Sequence, residues 1–186
     1  MNNRTSKIIQ VISYLLQKEK RMNYMKLIKL VYFADKLHLK KYWKTITNDV
    51  YFALPKWPLG SLTSDIIKSP EQLNLEWELP FEKDWFDLKT KTRITDFDRI
   101  SELERQDLDK IYDIFWWYSE WKLVELTHNY KEWRDLEQKV NEYSRVEMPV
   151  ESFFQNSDNQ DSIFNISDEE VTVAKDLYYE SLENEI

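Results

Sequence analysis

The sequence predicts a mainly α-helical domain with a small β-hairpin set into it. Three observations carry that reading. Apolar residues recur at helical spacing in five separate segments, the period changes to two in a single stretch, and the prolines and lone glycine between residues 45 and 70 interrupt the helical pattern. At 186 residues the chain is long enough to bury a core without covalent staples.

The first helix is expected from about Thr5 to Glu19, with Ile8, Val11, Ile12 and Leu15 on one face. Asn23 is placed to cap a longer helix over about Tyr24 to Trp43, whose apolar arc is Leu27, Leu30, Val31, Ala34 and Leu37. At about 100° per residue, Lys26, Lys29, Phe33, Lys36 and Lys40 fall within one other arc, so a ring sits among four ammonium groups. That arc reads either as a contact surface or as lysines snorkelling around a half-buried phenyl ring.

Residues 45–70 are expected to form a loop with a short strand at Val50 to Leu54 and a short helix at Leu62 to Lys68. From Leu75 to Ile94, Trp77, Leu79 and Phe81 alternate with polar residues, and Phe86, Leu88, Thr90 and Thr92 share one face, which predicts the hairpin. Ser101 and Glu104 form a capping box for a helix that carries Leu108, Ile111, Phe115 and Tyr118 inward. One further helix is expected from Ser119 to about Tyr143, with Leu123, Leu126, Tyr130 and Trp133 in register. Residues 147–166 collect Asn, Asp, Gln and Ser and read as a linker or mobile loop. Ser167 and Glu170 then cap a terminal helix with Val171, Ala174, Tyr178 and Leu182 on a narrow face. The expected division is a domain at 1–146 and an acidic linker with helix at 147–186, packed on that domain or on a partner.

Composition narrows the chemistry. With no cysteine, disulfide scaffolds, zinc–thiolate sites and thiol nucleophiles are excluded, and one glycine, Gly60, does not supply a phosphate-cradling loop. No apolar run approaches the roughly 20 residues that span a bilayer, and the N-terminus lacks a secretory signal, so a soluble cytoplasmic protein is expected. Glu71 with Asp87 and Lys89 could imitate a carboxylate–lysine nuclease core, but charged chains produce this short pattern freely. His128 has no second histidine at metal-ligand spacing. No catalytic, cofactor or metal residues are therefore assigned.

The net charge of −8 conceals a gradient. Residues 1–56 carry 12 Lys/Arg against 3 Asp/Glu, residues 57–146 carry 13 against 20, and residues 147–186 carry 1 against 11. Such poles suit a complementary partner, or each other. The basic second helix, with Tyr32 and Phe33, argues for nucleic acid, but a pI near 5.0 and the acidic middle block argue against it. Most of the eight tryptophans are assigned to the core, and the residue type also suits protein contacts.

The run Met25-Lys-Leu-Ile-Lys-Leu-Val-Tyr-Phe-Ala-Asp35 resembles the K-L-x-K-L-[LV]-Y-[YF]-[AS] helix of the Panacea domain, the SocA-like antitoxin family also found in phage-associated proteins. Trp43 to Pro55 is similar to that family's G-x-P-[IL]-T-x-D-x-Y-x-A segment, and Leu123-Val-Glu-Leu-Thr-His128 followed by Trp133 is similar to its L-x-x-T-H…W motif. Order and spacing are kept over about residues 5–140. Lys44 and Trp57 stand where the family has glycines, with Gly60 displaced.

The resemblance implies a non-enzymatic antitoxin that neutralises a protein toxin by direct contact, a RelA/SpoT-like nucleotidyltransferase acting on tRNA being one such toxin. Alternatives are a proteolytic adaptor, a DNA-associated regulator or a phage anti-defence protein. The candidate partner contacts are Lys26, Lys29, Phe33, Lys36 and Lys40, then Trp57, and Phe153, Phe154 and Phe164 in the acidic segment. Motif position implies a structural role for Tyr32, Asp35, Thr127 and His128, as a polar network between the long and late helices.

Overall fold

A computed structural model of the chain describes residues 2–55, 57–75, 77–158 and 162–183. Helix α1 (Asn3–Lys18) begins where the Asn2 side chain accepts from Thr5 N at 2.8 Å, and it buries Ile8, Val11, Ile12 and Leu15 as the periodicity requires. A short strand, β1 (Arg21–Asn23), leads into α2 (Tyr24–Tyr42), capped by Asn23 through Met25 N. Helix α2 ends at Trp43 in the left-handed region, with φ 52°.

After α2 come β2 (Tyr51–Ala53), β3 (Pro58–Gly60) and α3 (Ser61–Lys68), then a 3-10 turn at Pro70–Leu73. The expected hairpin is β4 (Phe81–Asp84) and β5 (Asp87–Thr90), paired antiparallel from Phe81↔Thr90 to Asp84↔Asp87. Strand β1 adds to its other edge, with Met22 opposite Leu88. Helix α4 (Glu102–Phe115) starts at the complete Ser101–Glu104 capping box.

The single helix expected from Ser119 to Tyr143 is instead three: α5 (Glu120–His128), α6 (Lys131–Arg134) and α7 (Glu137–Tyr143). Tyr130, Trp133 and Val140 are buried along this stretch. A second antiparallel sheet, absent from the sequence expectation, joins β6 (Val146–Met148) to β2, with β3 on the far side of β2. The boundary expected at 146/147 thus falls inside a paired strand.

Residues 147–158 and 162–166 are not a free linker. A 3-10 turn at Val150–Phe154 seats Phe153 and Phe154 in the core, and Phe164 follows them. Asn156 and Asn165 tie the segment locally: Asn156 donates to Ile166 O and accepts from Ile166 N, and Asn165 Oδ1 accepts from Ser157 N. Helix α8 (Asp168–Glu183) closes the chain, with Ser167 Oγ accepting from Glu170 N as the second capping box requires.

Helix α2 is the axis of the molecule. Every residue from Met25 to Lys40 is buried, because α1, α4, α5, α8 and both sheets pack around it. Phe33 lies among Phe115, Phe164 and Tyr130, with ring centroids at 4.8, 5.6 and 6.0 Å. Tyr32, its ring 5.4 Å from that of Phe33, meets Tyr51 and Phe153.

Candidate functional site

The lysine arc of α2 faces inward, so the contact surface expected there does not exist in this conformation. Burying an ammonium group is costly unless acceptors replace its water. Each of these lysines has found them far away in sequence. Lys26 Nζ donates to Trp116 O and to Glu19 Oε1, Lys29 Nζ to Pro58 O at 2.8 Å, and Lys40 Nζ to Gln155 O, Asn156 Oδ1 and Phe164 O. Lys36 Nζ donates to Glu132 Oε1 while sitting 4.0 Å from the Tyr130 ring centroid.

Burial pushes the Lys36 ammonium below its ordinary range against the pull of Glu132, and pushes Lys40 down to about 7 with help from Lys36. Lys29 falls well below the usual value through burial and the nearby Lys68 charge. Phe33, Phe153, Phe154 and Phe164 are likewise core residues, so their expected exposure to a partner is corrected by the packing. Of the expected contact set, Trp57 remains part-exposed.

The motif residues do structural work at separate places. Tyr32 donates to Glu132 Oε1 at 2.5 Å, which ties α2 to α6. Asp35 turns the other way and organises the following loop, accepting from Ile46 N at 2.8 Å, Thr47 N at 3.0 Å, and the Thr47 and Tyr51 hydroxyls. Burial raises its carboxyl to about 6 despite those donors. Thr127 Oγ1 bonds back to Val124 O, and the His128 ring stacks on Trp133 at 4.0 Å while Trp133 Nε1 donates to Leu54 O. The network expected between the long and late helices therefore runs through Tyr32 and Glu132, a residue the sequence reading did not single out.

The nuclease alternative finds no geometry. Asp87 is paired with Arg21 and Lys89 with Asp84. Among the described residues no group of three or more His, Asp or Glu side chains is placed to hold a metal ion. No described helix is long and apolar enough to cross a membrane.

The tryptophans overturn the expectation that most are core. All eight lie among the described residues, and six are exposed: Trp43, Trp77, Trp85, Trp116, Trp117 and Trp121. Trp133 alone is fully buried. The core is already filled by aliphatic, Phe and Tyr side chains brought in from both ends of the chain, which leaves the largest rings outside. Trp116, Trp117 and Trp121 crowd the corner between α4 and α5, a corner held to α2 by the Lys26 bond to the Trp116 carbonyl. Trp85 and Phe86 form the tip of the hairpin, and Trp43 lines three shallow grooves around the end of α2, one of them about 540 Å³ beneath α8. Singly scattered exposed apolar residues are ordinary, whereas Trp is a residue type enriched at the hot spots of protein interfaces.

The chain matches the model for the family described as antitoxin SocA-like, Panacea domain, over residues 27–134, which run from α2 through α6. Neither a curated protein nor a solved structure matches it. The matched region spans the buried axis, the Asp35-centred loop and the exposed tryptophan corner together, and on that match the chain belongs to the SocA-like Panacea antitoxin family.

Proposed function

We propose that this protein is the antitoxin of a toxin–antitoxin pair and neutralises a cytoplasmic protein toxin by direct contact, covering its active or substrate-binding surface. The observation that carries the reading is the exposure of six of eight tryptophans in a chain of this family. Indole is among the side chains most enriched at energetically dominant interface positions, and the part of each ring that faces water adds little to the fold. The α4–α5 corner, with Trp117 64 % exposed and Trp116 and Trp121 beside it, is a rigid platform because α2 anchors it.

Toxins that act on nucleotides or tRNA, the RelA/SpoT-like nucleotidyltransferases among them, present basic sites for phosphate. Helix α8 begins with Asp168, Glu169 and Glu170 and buries only Ala174, so it offers such a site an anionic surface at little cost to its own packing. Co-expression with the protein encoded beside this chain tests the reading: growth should be restored and the two proteins should co-purify. Restored growth without a stable complex would point instead to control of toxin synthesis or to proteolytic delivery.

A further inference from the structure

At the tip of the β4–β5 hairpin a tryptophan occupies a place that the fold would give to glycine. Trp85 is the first of two turn residues between Asp84 and Asp87, has φ 58° and is 82 % exposed. The left-handed conformation is strained for a bulky residue, and a ring so exposed to water recovers little of that strain through packing. Phe86 beside it is exposed as well, lying over Tyr24 at 6.3 Å between centroids with planes 12° apart.

Below the tip, rings and ammonium groups alternate. Lys83 Nζ lies 5.0 Å from the Tyr24 centroid, Lys68 Nζ lies 5.7 Å from Tyr24 and 5.9 Å from Trp57, and Lys29 Nζ lies 5.9 Å from Trp57 on the inner side. Among the described residues none of these three lysines forms an ion pair. Burial, then the charge of Lys83, lowers Lys68, while Asp65 is the carboxylate that acts on it in the other direction. Of the hairpin's acids, Asp84 is paired with Lys89 and Arg21 and Asp87 with Arg21, while Glu82 stands opposite Lys89, on the other face of the hairpin from Lys83. Lys68 and Lys83 thus stand without an ion pair beside the part-exposed Tyr24 and Trp57 rings, in a chain whose net charge is −8.

We infer that this face, formed by Trp85, Phe86, Tyr24, Trp57, Lys68 and Lys83, is the docking surface for an acidic segment of the protein partner. The carboxylates meet Lys68 and Lys83, and apolar side chains flanking them cover the rings. A short acidic segment fits the two outer lysines, whereas a phosphate chain needs a longer run of cations to track and would meet Asp65 beside Lys68. The inference rests on the antitoxin reading and assigns a surface and a chemistry to it.

Calorimetric titration of the full chain with the purified product of the neighbouring reading frame tests it at two salt concentrations. Trp85→Gly should weaken binding about tenfold or more while the melting temperature stays level or rises, because glycine relieves the backbone; a purely structural tryptophan would show the opposite stability change. Lys68→Gln with Lys83→Gln should weaken binding similarly and flatten its salt dependence. Wild-type affinity in both variants would remove this face and leave the antitoxin reading standing. Absence of any complex with the wild-type chain, together with absence of growth protection, would remove both. Tighter binding of a short oligothymidylate than of the protein, lost in the lysine variant, would overturn the acidic segment in favour of nucleic acid.

Discussion

The carboxylate of Asp49 occupies the space that a side chain at Gly60 would need. A Cβ built on Gly60 would stand 2.9 Å from Asp49 Cγ and closer still to its Oδ2. The reason for the contact is helix α3, whose cap residue is Gly60 itself and so has no side chain to offer. Asp49 supplies the cap from eleven residues upstream, accepting from Leu62 N at 3.0 Å, Thr63 N at 2.8 Å and Thr63 Oγ1 at 2.7 Å. The φ of −75° at Gly60 is open to any residue, so close approach alone explains the chain's one glycine.

Gly60→Ala should therefore cost about 1–3 kcal/mol, read as a lowered urea midpoint. Asp49→Ala should cost a similar amount through the lost cap. The double variant should cost clearly less than the two together, because Asp49→Ala removes the carboxylate that a side chain at position 60 would strike. Simple additivity would show that the two side-chain positions do not compete for space.

Asp35 gives a pH signature. Its folded carboxyl titrates at about 6 and its unfolded one at the ordinary 3.8, so between these values the folded state holds the extra proton. Stability should then fall as pH rises from about 4 to 6 and be insensitive to this group above that. Asp35→Asn keeps an oxygen for the Ile46 and Thr47 amides, and the Thr47 and Tyr51 hydroxyls can turn to accept. Relative to that variant, the wild-type chain should lose roughly 2–3 kcal/mol across the window, measured by denaturation at each pH. A constant difference would place the Asp35 titration outside it.

The buried pair of Lys36 and Glu132 should be expensive to break and cheap to replace. Glu132→Gln leaves a buried ammonium without its counter-charge and should cost about 3–5 kcal/mol. Lys36→Met combined with Glu132→Leu removes both charges and should recover most of that loss. Equal losses in the single and double variants, compared by urea unfolding, would mean that packing rather than charge sets the cost.

Truncations separate the tail's structural and partner roles. Ending the chain after Val146 removes Phe153, Phe154 and Phe164, each fully buried, and should unfold it. Ending it after Ile166 removes α8, in which Ala174 is the buried residue, and should leave a cooperative melt. If α8 meets the toxin, the second truncation should weaken growth protection while the melt persists; full protection would exclude α8 from the contact.

Local chemistry was legible in the sequence where short-range bonds decide the outcome. The Asn23 cap, the Ser101–Glu104 and Ser167–Glu170 boxes, and the alternation from Phe81 to Thr90 all have their cause within a few residues. Periodicity also placed Lys26, Lys29, Phe33, Lys36 and Lys40 on one arc, but could not show which way the arc points. Its direction depends on Glu132, Pro58 O and Phe164 O, partners 29 to 124 residues away. The tryptophans misled for a related reason: the aromatic count shows that rings exist, while occupancy of the core is decided by competition with Phe153, Phe154 and Phe164, which the polar residues around them disguised as a linker. Trp85 had one local sign, a Trp-Phe pair at a two-residue turn where glycine is usual.

Tryptophan emission on complex formation tests the central claim most directly, using a toxin whose own tryptophans are replaced by phenylalanine. Six exposed indoles give the free chain a long-wavelength spectrum, and docking through them should shift it to shorter wavelength in step with binding, with smaller shifts in Trp85→Phe and in Trp117→Phe. A toxin that is bound and neutralised while the spectrum stays fixed would contradict contact through these rings.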